Sequence, residues 1–249
     1  MNCKYAQKIM KKYTHRVLEE RIQQYLENFS VVGLTGPRQS GKSTMLQKML
    51  SSSYTYVSFD DYDMLNLFYA DPKAFMSRYS DKVIFDEVQR VPEIFSYIKM
   101  AVDSDRQRYG KFVLTGSAQF SMIKKISESL AGRIGLLTLL AFEYVELPKF
   151  ARDPAIFQGA YPELVMKKYR LSQEWYASYI DTYLSRDVNT MQHIGDMRDF
   201  RRLIHLLAAH TSQVLNMSRF ASDIGVSVST IKKWISILEA SYIIFLLPP

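Results

Sequence analysis

The octapeptide Gly36-Pro37-Arg38-Gln39-Ser40-Gly41-Lys42-Ser43 satisfies G-x-x-x-x-G-K-[ST] at every fixed position. It follows the apolar run Val31 to Leu34 directly and leads into Thr44 to Leu50, which reads as helix. Glycines at both ends free the backbone N–H groups to turn inward around an anion, and the helix start adds the positive end of its dipole. The pattern alone arises by accident in roughly one chain of this length in a hundred. A preceding strand makes accident rarer still. The strand-loop-helix unit therefore predicts a phosphate site built from Gly36, Pro37, Arg38, Gln39, Ser40, Gly41, Lys42, Ser43 and Thr44. Within it Lys42 is expected to reach the β- and γ-phosphates, and Ser43 to ligate Mg²⁺.

Short apolar runs recur downstream at Tyr54 to Phe59, Val83 to Phe85, Phe112 to Leu114 and Ile134 to Leu140, separated by amphipathic stretches. That alternation predicts an α/β fold with a parallel sheet covered on both faces. The run Val83-Ile84-Phe85 ends in Asp86-Glu87. Asp86 at the strand end is expected to hold Mg²⁺, and Glu87 to orient and deprotonate an attacking water. The adjacent glutamate favours hydrolysis over transfer to an acceptor hydroxyl. Asp60-Asp61-Tyr62-Asp63 is a competing acidic run, expected to form a surface loop. Phe112-Val113-Leu114 leads into Thr115-Gly116-Ser117, where Thr115 or Ser117 is the expected γ-phosphate sensor.

The 249 residues suffice for one or two domains, and 47% hydrophobic with 23% charged residues argues against disorder. The single cysteine, Cys3, excludes an internal disulfide, and the four histidines lack metal-ligand spacing. No apolar run approaches the roughly 18 to 20 residues that span a bilayer, and the N-terminus lacks a signal-peptide core. A cytoplasmic protein without membrane contact is expected. The net charge of +7 is concentrated at the ends, +4 over residues 1 to 21 and +3 over residues 198 to 249. Any nucleic-acid surface is expected there.

Gly36 to Thr44, Ile84 to Glu93 (IFDEVQRVPE), Leu114 to Phe120 (LTGSAQF) and Ser129 to Leu147 (SLAGRIGLLTLLAFEYVEL), followed by Gly159 to Glu163 (GAYPE) and Tyr183 to Val188 (YLSRDV), stand in a specific order. In this order they resemble the prokaryotic AAA+-superfamily P-loop ATPases that carry a C-terminal domain of unknown function. The resemblance implies a three-layer α/β/α P-loop NTPase core with strand order 5-1-4-3-2, a helical lid and ATP as substrate. It also implies that Arg133, before the last core strand, serves as an arginine finger for a neighbouring copy in a homo-oligomer. Arg186 is a weaker candidate for a second sensor. The expected divisions are an N-terminal helix (1–29), the ATPase core (30–148), a helical lid (149–200) and a truncated winged helix-turn-helix (201–249).

Phe220, Ala221 and Ile224 form an apolar stripe closed by Gly225, and Val228, Ile231, Trp234, Ile235 and Leu238 form a second, with Ser227 as its N-cap. This spacing predicts a helix-turn-helix, with a wing strand at Tyr242 to Leu247. Ser229, Thr230, Lys232, Lys233 and Ser236 would face outward, to duplex DNA or to another protein. An apolar strand at the chain end needs a partner, so sequence beyond Pro249 is expected. Two functions follow: ATP hydrolysis coupled to movement of the C-terminal module, or a nucleotide-gated switch with little hydrolysis.

Overall fold

The computed structural model describes residues 13–116, 129–183 and 196–247. Two compact units divide after Ser172.

The first unit opens with α1 (Leu18–Asn28) and continues through β1 (Val31–Thr35), α2 (Lys42–Leu50), β2 (Thr55–Ser58), α3 (Tyr62–Ala70), α4 (Pro72–Arg78), β3 (Val83–Asp86), α5 (Ile94–Asp103), β4 (Phe112–Thr115) and β5 (Ile134–Thr138). All five strands are parallel, in the order β2-β3-β4-β1-β5. Read from the other edge this is 5-1-4-3-2, the order the sequence resemblance implies.

The three central strands, β3, β4 and β1, are buried at every position because helices cover both faces there, whereas the edge strands β2 and β5 are partly exposed. Alternate residues go to opposite sides. Val31, Val83, Phe85, Phe112 and Leu114 join one core with Phe59, Phe68, Phe75 and Phe95. Val32, Leu34, Ile84 and Val113 join the other with Ile22, Met45 and Leu46. Phe85 is the centre of the first core, stacked on Phe59 at 5.9 Å and on Phe112 at 5.8 Å between centroids. After β5 the chain makes short helical turns, including α6 (Ala155–Gln158) and α7 (Pro162–Met166).

The acidic run differs from the expected loop. Asp61 caps α3, its Oδ1 accepting from the Asp63 N–H at 2.9 Å, and Tyr62 and Asp63 are already helical. An aspartate whose side chain satisfies a first-turn N–H starts a helix as readily as it forms a loop.

The second unit contains α8 (Ser172–Tyr183), α9 (Met197–Ala209), α10 (Met217–Ile224) and α11 (Val228–Ala240). Gly225 ends α10 at φ 87°, a left-handed position glycine adopts freely, and its N–H reaches the Ala221 carbonyl at 2.9 Å. Ser227 caps α11, accepting from the Thr230 N–H at 3.1 Å. The predicted stripes are buried together with Phe200 and Leu203, with one exception. Val228, in the first turn of α11, is exposed. The expected wing is also absent: residues 242–247 form no strand. Here the Ile243 N–H returns to the Leu238 carbonyl at 2.9 Å, and Ile243 and Ile244 pack on the helices. The described residues of this unit offer no strand edge for pairing.

Trp234 is 2% exposed and meets Phe200 edge-on at 5.4 Å. Trp234→Ala is expected to destabilise this unit by about 3–5 kcal/mol. Hydrogen exchange checks this: amides of α9 to α11 lose protection, whereas those of the sheet keep it. Unchanged protection in both units would contradict the packing argument.

Candidate functional site

Parallel strands place the segments that follow them along one edge of the sheet. Ligands of open α/β sheets bind at that edge, where neighbouring connections diverge. β1 lies between β4 and β5, and the predicted phosphate loop follows it directly. Gly36 has φ 140°, and a Cβ there would lie 2.1 Å from the Leu139 carbonyl oxygen. The first fixed glycine is therefore demanded by backbone leaving β5 as well as by the turn. Gly41 occupies the N-cap of α2, so the free N–H groups of the first turn open toward the loop.

The Lys42 side chain doubles back, donating from Nζ to the Gly36 carbonyl at 3.0 Å and the Pro37 carbonyl at 2.8 Å. Burial pushes its pKa down to about 8, against the opposing pull of the Glu87 and Asp86 carboxylates. Asp86 ends β3. Its Oδ2 accepts from the Ser43 hydroxyl at 2.8 Å and from the Tyr56 hydroxyl, and its Oδ1 accepts from the Glu87 N–H at 3.1 Å. Burial, and then the bond to Asp86, raise the Tyr56 pKa, so this phenol remains a neutral donor.

Glu87 sits at φ 57° and ψ 42°, left-handed for a residue with a side chain. Such a conformation costs about 1–3 kcal/mol and is concentrated at functional sites. Its carboxylate accepts from Gln89 Nε2, and burial raises its pKa, which strengthens it as a proton acceptor. Thr115 ends β4 beside Leu34. Its hydroxyl is fully buried and has no hydrogen-bond partner among the described residues; the same holds for Ser40 Oγ. Buried hydroxyls ordinarily find partners. Two left without one at the loop edge fit a site made to receive the oxygens of a ligand.

Lys42, Ser43, Asp86, Glu87 and Thr115 thus converge at one edge of the sheet. Gln39 forms the exposed tip of the loop with φ 60°, Arg38 is half-buried beside it, and Thr44 is exposed on α2. Ser117 and Arg186 lie outside the described residues. Arg133 stands at the other edge of the sheet, where β5 begins. Its Nε and Nη2 clamp the two Asp103 carboxylate oxygens at 2.8 and 3.0 Å. Within one chain it is not part of the convergent set.

Sequence reasoning missed a cavity of about 330 Å³ against the outer side of the loop, lined by Tyr13, Arg16, Thr44, Phe142, Pro162 and Met166, among others. Its size suits a planar heterocycle, with Phe142, Pro162 and Met166 as apolar wall and Thr14, Gln39, Lys48 and Glu163 as polar groups around it. The usable signals were Phe142 and the Gly159 to Glu163 motif, whose Ala160 carbonyl accepts from the Phe142 N–H at 2.9 Å. Tyr56 and Gln89 also escaped notice; the only sign of Gln89 was its place two residues after Glu87.

The strand order and this edge have the architecture of a P-loop nucleotide-binding domain, followed in the chain by a helical C-terminal unit. Residues 28–147 match the family model described as an AAA domain, and residues 151–249 match a domain of unknown function, DUF8612. The uncharacterized proteins Rv2008c of Mycobacterium tuberculosis and Mb2031c of Mycobacterium bovis are each 29% identical over 233 residues, 92% of this chain and 52% of theirs. The chain spans about half the length of these curated relatives. Among solved structures, the Walker-type ATPase PABY2304 of Pyrococcus abyssi shares the fold at a TM-score of 0.60 and 16% identity, over 93% of this chain and 91% of that one. Among the described residues no helix is long and apolar enough to cross a membrane.

Proposed function

We propose that this chain binds ATP with Mg²⁺, hydrolyses it, and uses the change to move its C-terminal helical unit. The observation that carries the reading is the 2.8 Å contact between Ser43 Oγ and Asp86 Oδ2, with Glu87 as the next residue. A hydroxyl and a carboxylate this close, beside the phosphate loop, form the oxygen-rich half-shell that Mg²⁺ prefers. Mg²⁺, when bound, neutralises charge on the phosphate oxygens.

The chain's own groups do the rest. Lys42 leaves the Gly36 and Pro37 carbonyls and directs its ammonium to the β- and γ-phosphates. Ser43 and Asp86 would hold the metal, with Tyr56 fixing the Asp86 carboxylate. Glu87 accepts the proton of the water that attacks the γ-phosphorus as the bond from that phosphorus to the β–γ bridging oxygen breaks and ADP leaves, while the Thr115 hydroxyl donates to a γ-phosphate oxygen. The lateral cavity takes the adenine. A finger role for Arg133 requires release from Asp103 and a second copy whose site it completes.

Steady-state phosphate release with ATP, in Mg²⁺ and in excess chelator, tests the reading. Turnover that requires Mg²⁺ is the expected result; ATP binding without turnover leaves the nucleotide-gated switch in its place. One observation favours that second reading: the Glu87 carboxylate is already engaged by Gln89, an arrangement that must break before a water is activated.

The same proposal gives α11 to duplex DNA. Ser229, Lys232, Lys233 and Ser236 are exposed on it. The neighbouring arginines are less available: Arg201 pairs with Asp181 at 2.7 Å and Arg198 with Asp196 at 3.0 Å. Contact is therefore expected to be weak, independent of sequence and steeply dependent on salt. Fluorescence anisotropy with a labelled duplex at low ionic strength checks this, and an unchanged signal there transfers the surface to a protein partner.

A further inference from the structure

We propose that Arg16, upstream of α1, is the positioning residue that aims the phosphate loop. The inference rests on the ATP-binding reading above. Arg16 is 3% exposed, and its guanidinium makes four hydrogen bonds to three separate parts of the first unit. Nε donates to Glu146 Oε2 at 2.9 Å, Nη2 to the Leu140 and Ala141 carbonyls at 2.9 and 3.0 Å, and Nη1 to the Ser40 carbonyl at 2.9 Å. The guanidinium carbon lies 4.9 Å from the centroid of the Phe142 ring.

The side chain that makes these bonds is itself fixed. The Arg16 N–H donates to Glu19 Oε1 at 2.7 Å, and the Val17 N–H to Glu146 Oε1 at 2.7 Å. Glu146 also accepts from the Glu143 N–H at 2.8 Å. A planar fork of fixed N–H directions suits several acceptors at once, whereas the three donors of a lysine ammonium on a flexible stem do not.

The bond to Ser40 is the one that matters for the loop. Ser40 occupies the middle of it, and the loop's own turn there is weak, from the Ser40 N–H to the Pro37 carbonyl at 3.4 Å. No peptide bond described is cis. In a planar trans peptide the carbonyl and the following N–H point in opposite directions. Drawing the Ser40 carbonyl toward Arg16 therefore turns the Gly41 N–H to the opposite side of the loop. Arg16 thus orients a phosphate donor without touching phosphate. The same guanidinium lines the lateral cavity, so one residue joins the two halves of a nucleotide site.

Inorganic tripolyphosphate, which has no base, separates the loop from the cavity. Calorimetric titration with tripolyphosphate and with ATP, both with Mg²⁺, is made on wild type and Arg16→Lys at a temperature far below each melting point. The expected result is a loss of about 10- to 100-fold for both ligands in Arg16→Lys, the scale of one hydrogen bond to a charged group. Weakened ATP binding with unchanged tripolyphosphate binding would assign Arg16 to the base and overturn the proposal. Unchanged binding of both, with only a lower melting temperature, would overturn it as well, leaving a structural role. Wild type that binds neither ligand would overturn the ATP reading itself. Should Arg16→Lys not fold, the Gly41 amide of wild type decides by NMR: a downfield shift on adding tripolyphosphate is expected, and no shift sinks the proposal.

Discussion

Glu87→Gln lowers ATP turnover by about 10²- to 10⁴-fold, the usual contribution of a positioned general base, and leaves ATP binding within a few-fold of wild type. The amide keeps the size and hydrogen-bonding reach of the carboxylate but cannot take a proton at neutral pH. Within the loop Lys42 feels this charge, the Glu87 carboxylate helping to stabilise its ammonium. The left-handed backbone at Glu87 is retained, because glutamine bears the same stem. Single-turnover phosphate release and equilibrium binding of labelled ATP separate the two effects. If both fall together, Glu87 acts on the bound ground state; if neither falls, the base is another group.

Lys42→Met abolishes useful ATP binding, weakening it by about 100-fold or more through loss of charge-assisted bonds to phosphate, and it makes the ligand-free protein more stable. The second outcome follows from linkage. Burial lowers the Lys42 pKa from 10.5 to about 8, so at neutral pH the native state carries a charge that it disfavours. A shift of that size corresponds to about 3 kcal/mol. Losing the bonds to the Gly36 and Pro37 carbonyls offsets about 1–2 kcal/mol of it, leaving a net gain of about 1–2 kcal/mol.

The sign can be checked by titration. Between pH 8 and 10.5 the unfolded chain still holds the Lys42 proton while the native chain has released it. Wild-type stability should therefore gain a rising component across that window, one fully absent below it, and Lys42→Met should lack this component. Urea unfolding of both proteins at pH 7 and pH 10 measures it. Equal pH dependence in the two proteins rules out a depressed Lys42 pKa. Equal ATP affinity would remove Lys42 from the site.

The parts of this site that could be read from sequence are those in which chemistry is written in neighbouring residues. Gly36 to Ser43 and Asp86-Glu87 are local patterns, each attached to an apolar strand, and the stripes around Trp234 are periodic. The strand order came from the resemblance to a family; spacing alone does not fix it. What escaped is non-local. Arg16 meets residues 24, 124, 125 and 130 positions away, and Tyr56 meets Asp86 across 30. No short window contains either relationship. The wing failed for a related reason: Tyr242 to Leu247 is strand-like in composition, but a strand exists only where another offers its edge. Val228 fits the apolar stripe, yet its place in the first turn beside the Ser227 cap leaves it in solvent.

The chain has two tryptophans, Trp175 and Trp234, and both belong to the C-terminal helical unit. Trp234 is buried against Phe200, and Trp175 stacks on Tyr179 at 5.1 Å. Fluorescence excited at the red edge, where tyrosine does not absorb, therefore reports on one unit alone. The sheet that carries the phosphate loop is silent in that channel. Any change in emission on adding nucleotide is, without labelling, a direct optical readout of communication from the loop to the helices.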